Sequence, residues 1–172
     1  TNVTITANPA EITSDLTLDL NGYTITREVS NDSETKAYVF RPNGVNLTIL
    51  DSSEAKTGTV KMVPKGVASF DGSKYVTAVY VAGAAGKFTL ESGTLDNSAI
   101  ITAYNSYRSG TVMLGNGTFE MNGGVIKGQK NTNTDTAKMT GSAIGALDNG
   151  KIIINGGKIY AWKDATPAET YA

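Results

Sequence analysis

Four side chains have the chemistry that a ligand-binding site needs: Tyr75, Tyr104, Tyr107 and Arg108. Aromatic faces and a planar guanidinium are the groups that stack on sugar rings or anchor protein partners. The alternative is that these tyrosines fold back over apolar residues of their own stretches, such as Phe70 and Ile100. We therefore predict a ligand-binding surface at these four residues, with loop packing as the open alternative.

The residue types that most enzymes use for catalysis are scarce. The chain has no His and no Cys, so it lacks the commonest general base, the thiol nucleophile and the usual zinc ligands. A polysaccharide lyase would need clustered acids for Ca²⁺ and an outward Arg or Lys, and a glycosidase would need two close carboxylates. The aspartates never occur as Asp-Asp or Asp-x-Asp, and we expect no Arg within a repeat strand. We predict no catalytic residue, no metal and no cofactor.

Catalysis nevertheless stays open as an alternative. Acids that are distant in sequence can meet on neighbouring coils of a repeat protein, where no local motif would reveal them. A carbohydrate-active enzyme, either a polysaccharide lyase or a glycoside hydrolase, is therefore the second functional hypothesis.

The composition indicates one domain with a continuous core. The chain has 172 residues, of which 40% are hydrophobic, and a net charge of -1. That charge gives no sign of a nucleic acid partner. No apolar run approaches the roughly 20 residues of a membrane span, and the first ten residues lack the features of a signal peptide. We expect a soluble piece of a larger protein, without membrane insertion.

One eight-residue motif recurs along the chain. The copies are "LDLNGYTI" from Leu18, "FTLESGTL" from Phe88, "FEMNGGVI" from Phe119, "IIINGGKI" from Ile152, and an interrupted copy from Leu47. They lie about thirty to forty residues apart, which is too far for the two arms of a hairpin. Each copy follows a short lead-in, such as "AVYVAGAAG" before Phe88. The chain is therefore built from internal repeats.

Each repeat predicts three short strands with glycines at the corners. The second strand alternates apolar and polar residues, and the third contributes one apolar residue. Stacking such units in parallel buries their apolar faces in one core. We predict an all-β fold, a parallel β-helix of about five coils, with residues 1–172 in one domain and 163–172 as a tail. An antiparallel sandwich is the alternative, but it does not require the same corner in every unit.

The alignment of the copies predicts which side chains stack. One inward column should contain Leu18, Leu47, Phe88, Phe119 and Ile152, and another Ile25, Val60, Leu95, Ile126 and Ile159. The corner asparagines should form an amide ladder: Asn21, Asn122 and Asn155. The C-terminal "ATPAETYA" is the one helix candidate.

The motifs "LTLDLNGYTIT", "LTILDSS" and "FTLESGTL" resemble the repetitive β-helix regions of large secreted or wall-attached proteins of Gram-positive bacteria, especially gut Clostridia. Those regions belong to the pectate-lyase-like superfamily. The resemblance covers nearly the whole chain and rests on core and corner residues. It implies a right-handed β-helix, an extracellular location and an adhesive or carbohydrate-interacting role.

The repeats also predict where a functional surface should lie. Nearly all length variation between copies follows the third strand, and stacked coils place equivalent turns one above another. These variable segments carry the four candidate side chains. They should lie one above another and form one continuous surface, which we call the wall. Loops on a rigid scaffold are where binding usually resides. We expect a noncatalytic extracellular surface module that binds a glycan or a surface protein, or that spaces other domains.

Overall fold

The computed structural model describes residues 1–6, 10–29, 36–66, 75–102, 110–131, 142–147, 149–163 and 166–170. Every regular element in these ranges is a β-strand. The strands are β1 (Val3–Ile5), β2 (Ala10–Ile12), β3 (Leu16–Asp19), β4 (Thr24–Val29), β5 (Lys36–Pro42), β6 (Asn46–Leu50), β7 (Thr59–Pro64), β8 (Tyr75–Val81), β9 (Lys87–Leu90), β10 (Thr94–Asp96), β11 (Ile101–Thr102), β12 (Gly110–Leu114), β13 (Thr118–Met121), β14 (Val125–Asn131), β15 (Ser142–Ala146), β16 (Lys151–Ile154), β17 (Lys158–Lys163) and β18 (Thr166–Thr170).

The strands form three sheets, and up to β17 the neighbouring strands of a sheet are three or four strands apart along the chain. Sheet A has the order β1-β4-β7-β10-β14-β17-β18, with β11 also paired to β14; sheet B is β2-β5-β8-β12-β15; sheet C is β3-β6-β9-β13-β16. Neighbours in sheets B and C are parallel throughout, as they are in sheet A up to β17. The fold is a three-sided parallel β-solenoid, which confirms the predicted β-helix and excludes the antiparallel sandwich.

Alternating side chains fill the solenoid. In β6, β9 and β13 the apolar residues point into the core, and the central members of the column, Leu47, Phe88 and Phe119, are fully buried. The rings of Phe88 and Phe119 stack with centroids 5.2 Å apart. The predicted third-strand column is also confirmed, because Ile25, Val60, Leu95, Ile126 and Ile159 are paired in register along sheet A. Stacked identical positions thus bury one apolar stripe per sheet.

The predicted second-strand column is wrong in the first coil. Leu16, not Leu18, pairs with Leu47, and Leu18 pairs with Ile49. A shift of two residues leaves the same side chains on the inner face, so apolar alternation cannot distinguish the two registers. The Asn-Gly corners of the copies are not equivalent positions in the stack. The first-coil residue in the column of Asn122 is Asp19, two positions before Asn21.

Two further sequence predictions are wrong. The helix candidate at the C-terminus contains β18, which pairs antiparallel with β17. This segment is a strand because the edge of β17 offers hydrogen-bond partners to its backbone, and that pairing outweighs any local helix propensity. Arginines do occur in repeat strands: Arg27 lies in β4 and is fully buried, and Arg41 lies in β5. The Arg27 guanidinium donates to the carbonyl oxygen of Tyr38 at 2.8 Å.

We expect folding to need neither a metal nor a disulfide. The chain has no Cys, and within the described ranges no group of three His, Cys, Asp or Glu side chains is placed to share a metal ion. Neither chelator nor reductant should therefore shift the Tm in a thermal melt. A drop of several degrees with chelator alone would contradict this, and residues 131–136, "NTNTDT", would then be the first place to look for ligands.

Candidate functional site

Of the four predicted site residues, the structure describes only the backbone of one. Tyr75 begins β8, and its side chain, like all of Tyr104, Tyr107 and Arg108, lies outside the described residues. The variable segments each connect a strand of sheet A to the next strand of sheet B. The strands that they join are stacked, as the predicted wall requires, but the wall itself stays a prediction.

An aromatic and cationic group that the sequence did not reveal lies on the outer face of sheet B. Glu11 pairs with Arg41, and Tyr80 pairs with Met113. Arg41 and Tyr80 directly follow the paired residues Phe40 and Val79, so they are cross-strand neighbours. A guanidinium thus lies one strand away from a tyrosine ring on a parallel sheet. We call Glu11, Tyr38, Arg41 and Tyr80 the sheet B patch.

The two tyrosines of the sheet B patch stack on each other. The ring centroids of Tyr38 and Tyr80 are 6.1 Å apart with an interplanar angle of 27°. Tyr38 is 8% exposed and Tyr80 is half-buried, so Tyr80 presents the more accessible ring. Burial raises the pKa of Tyr38, against an opposing effect of the Arg27 charge and with a smaller increase from Tyr80. The Tyr38 phenol therefore stays neutral at ordinary pH.

A kink in sheet B brings these side chains to one face. In β5 the consecutive residues Val39 and Phe40 both join the core, and in β8 Ala78 and Val79 do the same. Two successive inward residues break the alternation of a regular strand. Tyr38 and Arg41, three residues apart, consequently share the outer face. A strict period of two would have placed them on opposite faces, which is why the sequence did not predict the patch.

Arg41 provides hydrogen-bonding capacity beside the rings. Its Nη1 forms an ion pair with Glu11 Oε1, and the two side chains are 24% and 48% exposed. Among the described residues, its Nε is buried without a hydrogen-bond partner. A buried donor without an acceptor costs about 1–3 kcal/mol.

Two aspartates at the corner between sheets C and A hold turns and do not suit proton transfer. Burial raises the pKa of Asp51, but hydrogen bonds from Ser53, Gly58 and Gly22 outweigh it, so that the net pKa is lowered. Hydrogen bonds from Ser52 likewise lower the pKa of Asp19. Both carboxyl groups are therefore ionised at neutral pH. A general acid must be protonated at that pH, so neither aspartate suits that role.

The amide ladder forms beside the outer face of sheet C, at the corner where its strands end, but without Asn21. Asn155 Nδ2 donates to Asn122 Oδ1 at 2.8 Å, and Asn122 Nδ2 donates to Glu91 Oε1 at 2.9 Å. Lys87 and Glu120 form an ion pair at 2.5 Å on the same face. Because these groups satisfy one another across the coils, they stabilise the stack and leave few free donors for a ligand.

The fold defines the chain as a parallel β-solenoid protein, with an aromatic and cationic patch on one of its three faces. Comparison with protein-family models, with curated proteins and with solved structures finds no match. No helix in the described ranges is long and apolar enough to cross a lipid bilayer.

Proposed function

We propose that this chain is a noncatalytic binding module of an extracellular protein, and that the sheet B patch binds a glycan. The observation that carries the proposal is the placement of Arg41 beside Tyr80 on a sheet whose other face is core. The resemblance of the repeat motifs to surface proteins of Gram-positive bacteria supports the extracellular location.

The chemistry of the patch suits a sugar ring. The Tyr80 ring is held by its stack on Tyr38, so little side-chain entropy is lost when a ligand packs on it. The Arg41 and Glu11 pair offers donors and acceptors side by side, the arrangement that neighbouring sugar hydroxyls require. The pair carries no net charge, which favours a neutral glycan over a polyanion.

Substitutions in the patch should separate binding from folding. Tyr80→Ala and Arg41→Ala are each expected to weaken binding at least tenfold, about 1.4 kcal/mol. Arg41→Ala should keep a Tm close to that of the wild type, whereas Tyr80→Ala also removes a half-buried ring from its stack on Tyr38 and should lower the Tm. A glycan array would select the ligand, and titration calorimetry would measure its affinity. Tyr80→Phe should retain most of the affinity if ring stacking dominates.

Tyr23→Ala is the matched control. Tyr23 is 49% exposed and lies at the corner between β3 and β4, away from sheet B. Its loss should change neither affinity nor Tm. Unchanged affinity in both patch variants would contradict the proposed site. Turnover of a polyuronate panel, seen as absorbance of an unsaturated product, would contradict the noncatalytic assignment and favour the enzyme alternative.

A further inference from the structure

The corners of the solenoid carry six Asn-Gly pairs, in which the two residues can react with each other. The glycine nitrogen can attack the side-chain carbonyl carbon of the asparagine, because glycine has no side chain to obstruct the approach. A C–N bond forms, and the side-chain nitrogen leaves as ammonia with the glycine amide proton. Water then opens the cyclic succinimide and leaves aspartate or isoaspartate. The asparagines of these pairs are Asn21, Asn43, Asn116, Asn122, Asn149 and Asn155.

Hydrogen bonds hold five of the six glycine nitrogens. The donors and acceptors are Gly22 N with Asp51 Oδ1 at 2.8 Å, Gly44 N with Ala82 O at 2.9 Å, Gly123 N with Leu90 O at 3.3 Å, Gly150 N with Leu147 O at 3.2 Å, and Gly156 N with Met121 O at 3.2 Å. A nitrogen in such a bond must give it up before it can attack, which adds the energy of that bond to the barrier.

The sixth glycine, Gly117, lies in an unusually short corner. Its N–H has no acceptor among the described residues. The corner between β12 and β13 consists of residues 115–117, whereas the equivalent corners of the adjacent coils span residues 82–86 and 147–150. Corner length is thus what distinguishes Gly117 from the glycines stacked above and below it.

The longer corners close a turn that the short one cannot close. Gly86 N and Gly150 N each donate to the carbonyl oxygen three residues earlier. For Gly117 that oxygen belongs to Leu114, and it accepts instead from Leu147 N at 2.8 Å in the next coil. The stacking of the coils therefore takes away the acceptor that Gly117 N would have used.

The side chain of Asn116 is also weakly held. It is exposed, and its Oδ1 accepts from Asn149 N at 3.4 Å, which is longer than an ordinary hydrogen bond. By contrast, Asn122 and Asn155 are fixed by the amide ladder. Gly117 is buried, but its nitrogen needs to reach only the side chain of the preceding residue.

We propose that Asn116 is a site of spontaneous modification, at which the side-chain amide is converted to aspartate or isoaspartate. Water is the one co-reactant. The new carboxylate would directly follow Gly115, where an added methyl group would lie 3.2 Å from Tyr80 Oη. The modification therefore places a negative charge beside the sheet B patch, in which Arg41 and Glu11 balance each other.

Ageing of the full-length chain tests the proposal. The native protein would be incubated in mildly alkaline buffer and digested, and each Asn-Gly site would be quantified by mass spectrometry with fragmentation that separates aspartate from isoaspartate. Asn116 should react at least tenfold faster than the other five sites, which corresponds to about 1.4 kcal/mol, the scale of one hydrogen bond. Equal rates at the six sites, or a faster reaction at another site, would overturn the proposal.

The same chain unfolded in urea is the control for the corner. All six sites should then react at similar rates, because the fold no longer distinguishes their glycine nitrogens. If Asn116 kept its tenfold advantage in urea, its flanking sequence and not the corner would be the cause, and the structural argument would fail.

Two variants test the role of the glycine hydrogen bond. Asp51→Ala removes the acceptor of Gly22 N, so the rate at Asn21 should rise about tenfold relative to the rate at Asn155. This ratio cancels the effect of general destabilisation, and an unchanged ratio would overturn the mechanism. Asn116→Gln should remove the fast phase of ammonia release without lowering the Tm, because glutamine closes its larger ring more slowly. A fast phase that persists would assign the reaction to another residue.

Discussion

Replacement of Phe119 with alanine is expected to lower the free energy of unfolding by about 3–5 kcal/mol. The Phe119 ring is fully buried and stacks on Phe88 with an interplanar angle of 16°. Its removal leaves a cavity in the middle of the column, where strands on both sides are fixed by the parallel ladder. Urea denaturation followed by circular dichroism would measure the loss.

Ile152→Ala is the matched control for this prediction, since Ile152 belongs to the same column. Its side chain is 42% exposed in the folded chain, so folding removes less of its apolar area from water. Its truncation to alanine should therefore cost about 1 kcal/mol. Equal losses at Phe119 and Ile152 would contradict the burial gradient along the solenoid.

Asp51→Ala should have the second largest effect, about 3 kcal/mol, because three backbone donors lose their acceptor. Asp51 is 1% exposed, and its Oδ1 accepts hydrogen bonds from Gly22 N at 2.8 Å and Ser53 N at 3.1 Å. Its Oδ2 accepts one from Gly58 N at 2.6 Å. The carboxylate thereby ties the first coil to the second. Chemical denaturation at pH 7 would measure the loss.

Asp51→Asn and Asp15→Ala complete that comparison. The amide keeps one acceptor oxygen but turns an NH₂ group toward a backbone N–H, so we expect Asp51→Asn to lose a substantial part of the same stability. Asp15 is exposed although it accepts two hydrogen bonds from Asn46, and Asp15→Ala should leave the stability close to that of the wild type. A large loss at Asp15 would contradict burial as the cause of the Asp51 effect.

The contribution of Asp51 should also depend on pH. Because its pKa is lowered in the folded state, the unfolded chain binds the proton more tightly. The stabilisation is fully present above the unfolded pKa of about 3.9 and is lost as the pH falls through the lower folded value. The difference in stability between wild type and Asp51→Ala should therefore shrink below about pH 4. A difference that stays constant down to pH 2 would show that the carboxylate charge is not involved.

The sequence by itself determined the architecture and most of the core. Every copy of the motif has the same apolar positions to bury, and units of this length can bury them only by stacking on one another. The third-strand column from Ile25 to Ile159 was predictable because each copy has one apolar residue two or three positions after a corner glycine. Those are local signals that recur.

Only the tertiary structure decided the first-coil register, the sheet B patch and the strand conformation of β18. A slip of two residues at Leu16 keeps the same inner face, so the choice rests on contacts with β6 and on the turn that Asp51 holds. The kink that aligns Tyr38, Arg41 and Tyr80 depends on how two consecutive residues pack against the other sheets. The strand conformation of β18 comes from an open edge of β17. Each of these features depends on contacts with residues far away in sequence, or on a sheet edge that exists only once the coils have stacked. The local pattern of apolar residues does not encode either of them.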